Sequence, residues 1–111
     1  MKILITGSNG FVGGAIAQSL ATSNVELILP VRGRAGSNYS QRQGCSGDKI
    51  AGIHGTTNWE DFLTGVDVVL HCAAMLNGGQ KISPQQLHAL RSVNVDGTLN
   101  LASQAASAGV K

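Results

Sequence analysis

The stretch that most limits how this chain can fold is KILITGSNGFVGGAIAQSL, residues 2–20. An apolar run, Ile3-Leu4-Ile5, stops at Thr6, glycines follow at positions 7, 10 and 13, and an amphipathic stretch comes after them with Ile16 and Leu20 on one face. This reads as a buried strand, a tight turn and a helix over Phe11–Thr22. The glycines have separate uses there. Gly7 permits the turn, Gly10 lets an anion approach the backbone, and Gly13 lets the helix pack closely on the sheet. Free N–H groups and the positive end of the helix dipole then favour a phosphate. In the first strand–helix turn this spacing points to a dinucleotide. No Gly-Lys-Ser/Thr follows, which excludes a P-loop.

Strands and helices alternate along the rest of the chain. Val25–Val31 reads as a second strand, apolar throughout as when both sheet faces are covered. Residues 33–48, rich in Gly, Ser, Gln and Arg, read as an irregular loop, and Lys49–His54 as a third strand. Asn58, with Asp61 three residues on, starts a short helix that Gly65 ends. Val66–His71 is the fourth strand. Ser83-Pro84-Gln85-Gln86 combines a capping Ser, a Pro at the first helical position and a Gln at the third, so a helix is expected from there to about Ala108, closed by Gly109.

Parallel neighbours need crossover connections, so this order predicts an α/β fold: a Rossmann-type doubly wound parallel sheet in three α/β/α layers, its four strands ordered 3-2-1-4. Residues 1–111 form one domain. Val110 and Lys111 fall where a fifth strand should begin, so the chain is expected to be the first half of a larger unit, cut before its catalytic and substrate region.

Composition removes several function classes. With 13% charged residues and a net charge of +2, there is no footprint for nucleic acid, and Arg32, Arg34 and Arg42 are not interleaved with aromatics. Cys45 and Cys72 are too few and too far apart for a disulfide scaffold and read as free thiols. No signal peptide is recognisable, and the longest apolar run, Val66 to Leu76, is interrupted and far short of the ~20 residues of a membrane span, so a cytoplasmic location is expected. His54, His71 and His88 make no metal or triad spacing.

Thr6-Gly7-x-x-Gly10-x-x-Gly13 resembles the short-chain dehydrogenase/reductase superfamily, and Gly10-Phe11-Val12-Gly13 resembles its extended, epimerase/dehydratase branch. His71-Cys72-Ala73-Ala74 is similar to that branch's H-x-A-A/G segment, and residues 93–101, VNVDGTLNL, to its VNVxGTxNL helix. Asn58-Trp59 and Gly65-Val66-Asp67-Val68-Val69 are similar to bacterial nucleotide-sugar enzymes of the UDP-glucose 4-epimerase type. The resemblance implies that Phe11 and Val12 offer backbone N–H groups to a pyrophosphate. It also implies that Cys72, Ala73 and Ala74 line the nicotinamide side and that Asn94 lies near the active centre.

Asn94 also stands out physically. It shares a helical stripe with Leu87, Leu90, Gly97, Leu101, Ala105 and Ala108, and a polar group there needs a partner, whether structural or functional. A second stripe of Val95, Leu99, Ala102 and Ala106 is apolar as well. The helix over 84–108 is therefore expected to be covered on both sides, by its own sheet and by a homodimer partner or a neighbouring helix.

The end of the second strand sets the nicotinamide. A carboxylate there reads a ribose 2′-OH, whereas Arg accommodates a 2′-phosphate. Val31 occupies the place of the Asp of NAD-using epimerases, and Arg32 matches the Arg of NADP-using reductases, so NADP is expected over NAD. The family's Asp-Leu or Asp-Ile after the third strand, which meets adenine, is replaced here by His54-Gly55-Thr56-Thr57.

Catalysis in this family implies a Tyr-x-x-x-Lys pair. The only tyrosine, Tyr39, is followed at the fourth position by Gln43, so no catalytic residue is expected in this chain. The implied role is the cofactor-binding part of a nucleotide-sugar epimerase, dehydratase or reductase. The alternatives are an NADP-dependent carbonyl reductase and a non-catalytic dinucleotide sensor.

Overall fold

The computed structural model describes residues 1–32, 45–46 and 49–111. Strand β1 (Lys2–Thr6) lies between β2 (Glu26–Ile28) and, after the elements that follow them, β6 (Val68–His71), with parallel pairing on both sides. Two-residue strands β3 (Val31–Arg32), β4 (Cys45–Ser46) and β5 (Lys49–Ile50) complete the sheets. β4 pairs with β2, and β5 with β3. The main sheet runs β4-β2-β1-β6, which is the expected order 3-2-1-4.

The second and third strands differ from the sequence reading. The stretch expected as one strand, Val25–Val31, is broken into β2 and β3 around Leu29-Pro30. Pro30 has no N–H to give to a ladder, and pairing resumes only at Val31. The third strand stops at Ile50 instead of His54, and its first half, Cys45–Ser46, falls inside the stretch expected to be loop. The remainder of that loop, and Tyr39 with it, lies outside the described residues, as does the Cys45 side chain.

Helix α1 (Phe11–Leu20) stops two residues short of Thr22. Helix α2 (Glu60–Leu63) starts one residue later than Asn58 would place it, although the Asn58 Oδ1 does accept the Glu60 N–H at 2.9 Å. Helix α3 (Pro84–Arg91) has the full capping box between Ser83 and Gln86. It runs through one wide π-helical turn, Ser92–Gly97, into α4 (Thr98–Ser107). At the end, Gly109 takes φ +80°, Val110 N–H reaches the Ala105 carbonyl at 3.0 Å and Gly109 N–H the Ala106 carbonyl at 3.1 Å. That paired arrangement closes the helix as a Schellman motif.

Alternation along β1 divides the core. Ile3 and Ile5 join Ala17, Leu27 and Leu29 beneath α1, while Leu4 joins Ile28, Trp59, Leu63, Leu101 and Ala105 beneath α2 and α4. Three layers follow directly. The stripe on the long helix is buried at Gly97, Leu101 and Ala105 but exposed at Leu87 and Ala108, so it covers the sheet over its middle only. The second stripe is uncovered: Val95 is 49% and Leu99 65% exposed.

Candidate functional site

All four parallel strand lines point their carboxyl ends at one cleft of about 820 Å³. Open α/β sheets bind ligands there, beside the point where successive connections leave β1 in opposite directions. One wall is the glycine turn, Gly7 to Gly10; the second is Pro30, Val31 and Arg32; the third is Cys72 to Leu76 after β6.

The turn has the shape its glycines allow. Gly7 sits at φ +71°, and a Cβ on it would lie 2.7 Å from the Ala73 nitrogen, so a side chain here would collide with the backbone after β6. A Cβ on Gly13 would come 2.3 Å from the Gly7 carbonyl oxygen. The first turn of α1 is thereby pressed onto the glycine loop. Gly10 is its N-cap, without a side-chain cap and without an acidic residue in the first turn, so no carboxylate of the helix start itself competes for those N–H groups. Ser8 is buried beside them and its hydroxyl has no partner among the described residues. These features fit an anionic group at the turn. The Phe11 and Val12 side chains are exposed, and neither residue is among those that line the cleft.

Cys72 and Ala73 are half-buried and Ala74 exposed along the third wall. Asn94 does not line the cleft. It lies in the π-helical turn behind it, bonded twice to the backbone of Met75. It positions the wall instead of facing the cavity.

Behind the same wall runs a chain of hydrogen bonds whose direction is set by its ends. The Ala73 N–H donates to Thr6 Oγ1 at 3.3 Å, and at the far end the Thr98 hydroxyl donates to the Asn94 carbonyl at 2.8 Å. Thr98 Oγ1 must therefore accept from His71 Nε2–H, at 3.0 Å, while His71 Nδ1 accepts from the Thr6 hydroxyl at 2.6 Å. In its neutral form the ring therefore carries its proton on Nε2. Burial agrees, pushing the imidazole below its ordinary value.

Arg32 lies at the second wall. His54 and His88, which sequence reasoning left without a role, line the cleft too. No Asp or Glu does so among the described residues, and these hold no cluster of metal-ligating side chains. No helix among them is long and apolar enough to cross a membrane.

A family model, "NAD dependent epimerase/dehydratase family", matches residues 3–111. The chain is 34% identical over 110 residues to the UDP-glucose 4-epimerase of Vibrio cholerae, covering 99% of this chain and 32% of that protein. Among solved structures, a short-chain dehydrogenase/reductase superfamily protein of Agrobacterium tumefaciens with bound NAD superposes with a TM-score of 0.74 at 28% identity, covering 100% of this chain and 30% of that one. MoeE5 in complex with UDP-glucuronic acid and NAD superposes with a TM-score of 0.75 at 26% identity, over 100% and 34%. The chain thus spans about a third of the length of the relatives it matches.

Proposed function

The chain belongs to the NAD-dependent epimerase/dehydratase family, and from that premise we propose that it is the dinucleotide-binding part of an enzyme acting on a nucleotide sugar, by epimerisation, dehydration or keto reduction. The observation that carries this reading is the uncapped, carboxylate-free start of α1, pressed by Gly7 and Gly13 against the Ala73 wall at the mouth of the cleft. Gly7, Gly10 and the backbone of Phe11, Val12 and Gly13 would hold the pyrophosphate. Cys72, Ala73 and Ala74 would flank the nicotinamide, with Asn94 holding their segment in place. When bound, the dinucleotide supplies hydride transfer; this chain's residues bind and orient it. The epimerase relative and the UDP-sugar named with MoeE5 support the nucleotide-sugar part of the reading. The uncovered stripe of Val95 and Leu99 is where a second copy would pack.

The cofactor form we propose is NADP. The structural neighbours named above hold NAD, but here Arg32 ends the second strand line and no described carboxylate faces the cleft to accept from a ribose 2′-OH. Titrating NADP(H) and NAD(H) against the wild type and Arg32→Ala tests this. The wild type should prefer the phosphorylated form by roughly tenfold or more, as expected for a charged hydrogen bond, and the substitution should erase the preference. Equal affinities that survive the substitution defeat the NADP assignment. Failure of both dinucleotides to bind defeats the whole reading.

A further inference from the structure

The wall from Cys72 to Leu76 is held from behind at two points. Thr6 Oγ1 accepts the Ala73 N–H at 3.3 Å, and the Asn94 side chain holds both backbone groups of Met75. The first of these points also touches the glycine turn. A Cβ on Gly7 would lie 2.7 Å from the Ala73 nitrogen and 2.8 Å from its Cα, so turn and wall meet backbone to backbone. Whatever fixes the Ala73 N–H therefore sets how the first and third walls of the cleft stand against each other.

Thr6 is fully buried, and its hydroxyl donates to His71 Nδ1 at 2.6 Å. That nitrogen can accept only while the ring proton stays on Nε2, where Thr98 Oγ1 accepts it at 3.0 Å. Thr98 cannot reverse the link, because its own proton goes to the Asn94 carbonyl at 2.8 Å. None of the three residues lines the cleft. Among the described residues no charged side chain bonds to the ring, and burial alone pushes it below its ordinary value. Lys2 and Asp67 sit at the opposite end of β1 and β6, where the Lys2 N–H donates to the Asp67 carboxylate at 2.7 Å. His88, Arg91 and Asp96 of the long helix are exposed, and Cys72 packs on the other sheet face, against the core beneath α1.

Resting on the dinucleotide-binding reading above, though not on the choice of NADP, we propose that His71 is a positioning residue for the dinucleotide, its Nε2 tautomer keeping Thr6 in place to hold the Ala73 wall against the glycine turn. A proton added at Nδ1 reverses the first link. Thr6 Oγ1 must then accept from the ring as well as from Ala73, and its own buried proton has no acceptor left. Turning the Thr6 side chain relieves this and lets Ala73 go, so the dinucleotide is held less tightly. The coupling is reciprocal: a bound dinucleotide makes the ring harder to protonate.

The test titrates NAD and NADP calorimetrically at pH 8, 7, 6 and 5 into the wild type, Thr98→Val and Thr98→Ser, while NMR follows the His71 ring. NAD has no 2′-phosphate to change charge in this range, so a loss shared by both dinucleotides belongs to the protein. Affinity should be level down to about pH 6.5 and then fall, approaching tenfold per pH unit below the ring's folded-state value. A proton gained by His54 or His88 in the cleft would act in the opposite direction, strengthening the hold on an anion. The wild-type ring should titrate at lower pH with dinucleotide bound than without, a readout that needs no variant. Thr98→Val leaves Nε2–H without its acceptor and should bind about tenfold more weakly at pH 8, whereas Thr98→Ser should restore both the affinity and its pH profile. If affinity for both dinucleotides stays level or rises down to pH 5, or if the ring titrates identically with and without them, the role of His71 is overturned while the dinucleotide reading stands. Wild-type affinity in a folded Thr98→Val overturns it as well. If neither dinucleotide binds the wild type at pH 8, both readings fall.

Discussion

Asn94 and Met75 exchange two hydrogen bonds: the Asn94 Oδ1 accepts the Met75 N–H at 2.8 Å, and its Nδ2 donates to the Met75 carbonyl at 2.9 Å. A side-chain amide here does what a neighbouring strand would do, holding the segment after β6 where irregular backbone would otherwise have to satisfy itself. Asn94→Leu keeps the size and removes both bonds, leaving two backbone groups unpaired. The expected cost is about 1–3 kcal/mol, a fall in Tm of roughly 5–15 °C. Dinucleotide affinity should fall with it, since the same segment walls the cleft. Thermal melts alongside titrations check this, and an unchanged Tm would refute the clamp.

How much of this was legible beforehand depends on how local each determinant is. The glycine spacing, the capping box at Ser83 and the closing Gly109 depend on residues a few positions apart, and the structure reproduces each. Asn94 could be recognised as needing a partner, but nothing in the sequence says that the partner is Met75. The two-residue strands β4 and β5 exist because β2 and β3 present edges to them, and local composition carries no trace of that. The chain Thr6–His71–Thr98 spans three elements and more than ninety residues, and it is visible only in three dimensions.

His71 makes stability depend on pH. Burial lowers its folded-state value below the ordinary 6.5, so between the two values the unfolded chain binds a proton that the folded chain refuses. Stability is therefore full above about pH 6.5 and declines as the pH falls below it, until the folded-state value is reached. A protonated ring would donate from both nitrogens. Thr6 Oγ1, already accepting from Ala73, would then have to give up its own donation. Urea unfolding at pH 8, 7, 6 and 5 should show the decline in the wild type and a shallower one in His71→Gln. Parallel profiles would remove His71 as the source.

The two close approaches at the glycine turn should be unequal to an ordinary glycine substitution. Gly13→Ala places a methyl 2.3 Å from the Gly7 carbonyl, and Gly7→Ala combines a left-handed φ with a 2.7 Å approach to Ala73. Gly78→Ala shares the positive φ, at +65°, but meets nothing within 4 Å. The expected ranking is a cost of about 1–2 kcal/mol for Gly78→Ala, from backbone strain alone. Gly7→Ala and Gly13→Ala should each cost distinctly more, because backbone must move to admit the methyl. The two turn variants should also lose dinucleotide binding while Gly78→Ala keeps it. Equal costs for all three would show that the turn is looser than its geometry.

Gln104 is the second place where one side chain replaces a strand partner. It accepts from Trp59 N–H, donates to the Thr57 carbonyl and donates to Asn100 Oδ1 at 2.8 Å, linking α4 to the segment that carries His54. Gln104→Ala strips one acceptor from the buried Trp59 backbone and one donor from Thr57, at an expected cost of about 1–3 kcal/mol. Gln104→Glu keeps the acceptor for Trp59 but brings a carboxylate toward the Thr57 and Asn100 oxygens, which then lose their donor and face like polarity. It should be at least as damaging as the alanine despite its conservative shape. Amide hydrogen exchange over residues 52–59 should accelerate in both variants, with β1 unaffected. Protection of that segment in Gln104→Glu at the wild-type level would show that Asn100 alone is sufficient to hold it.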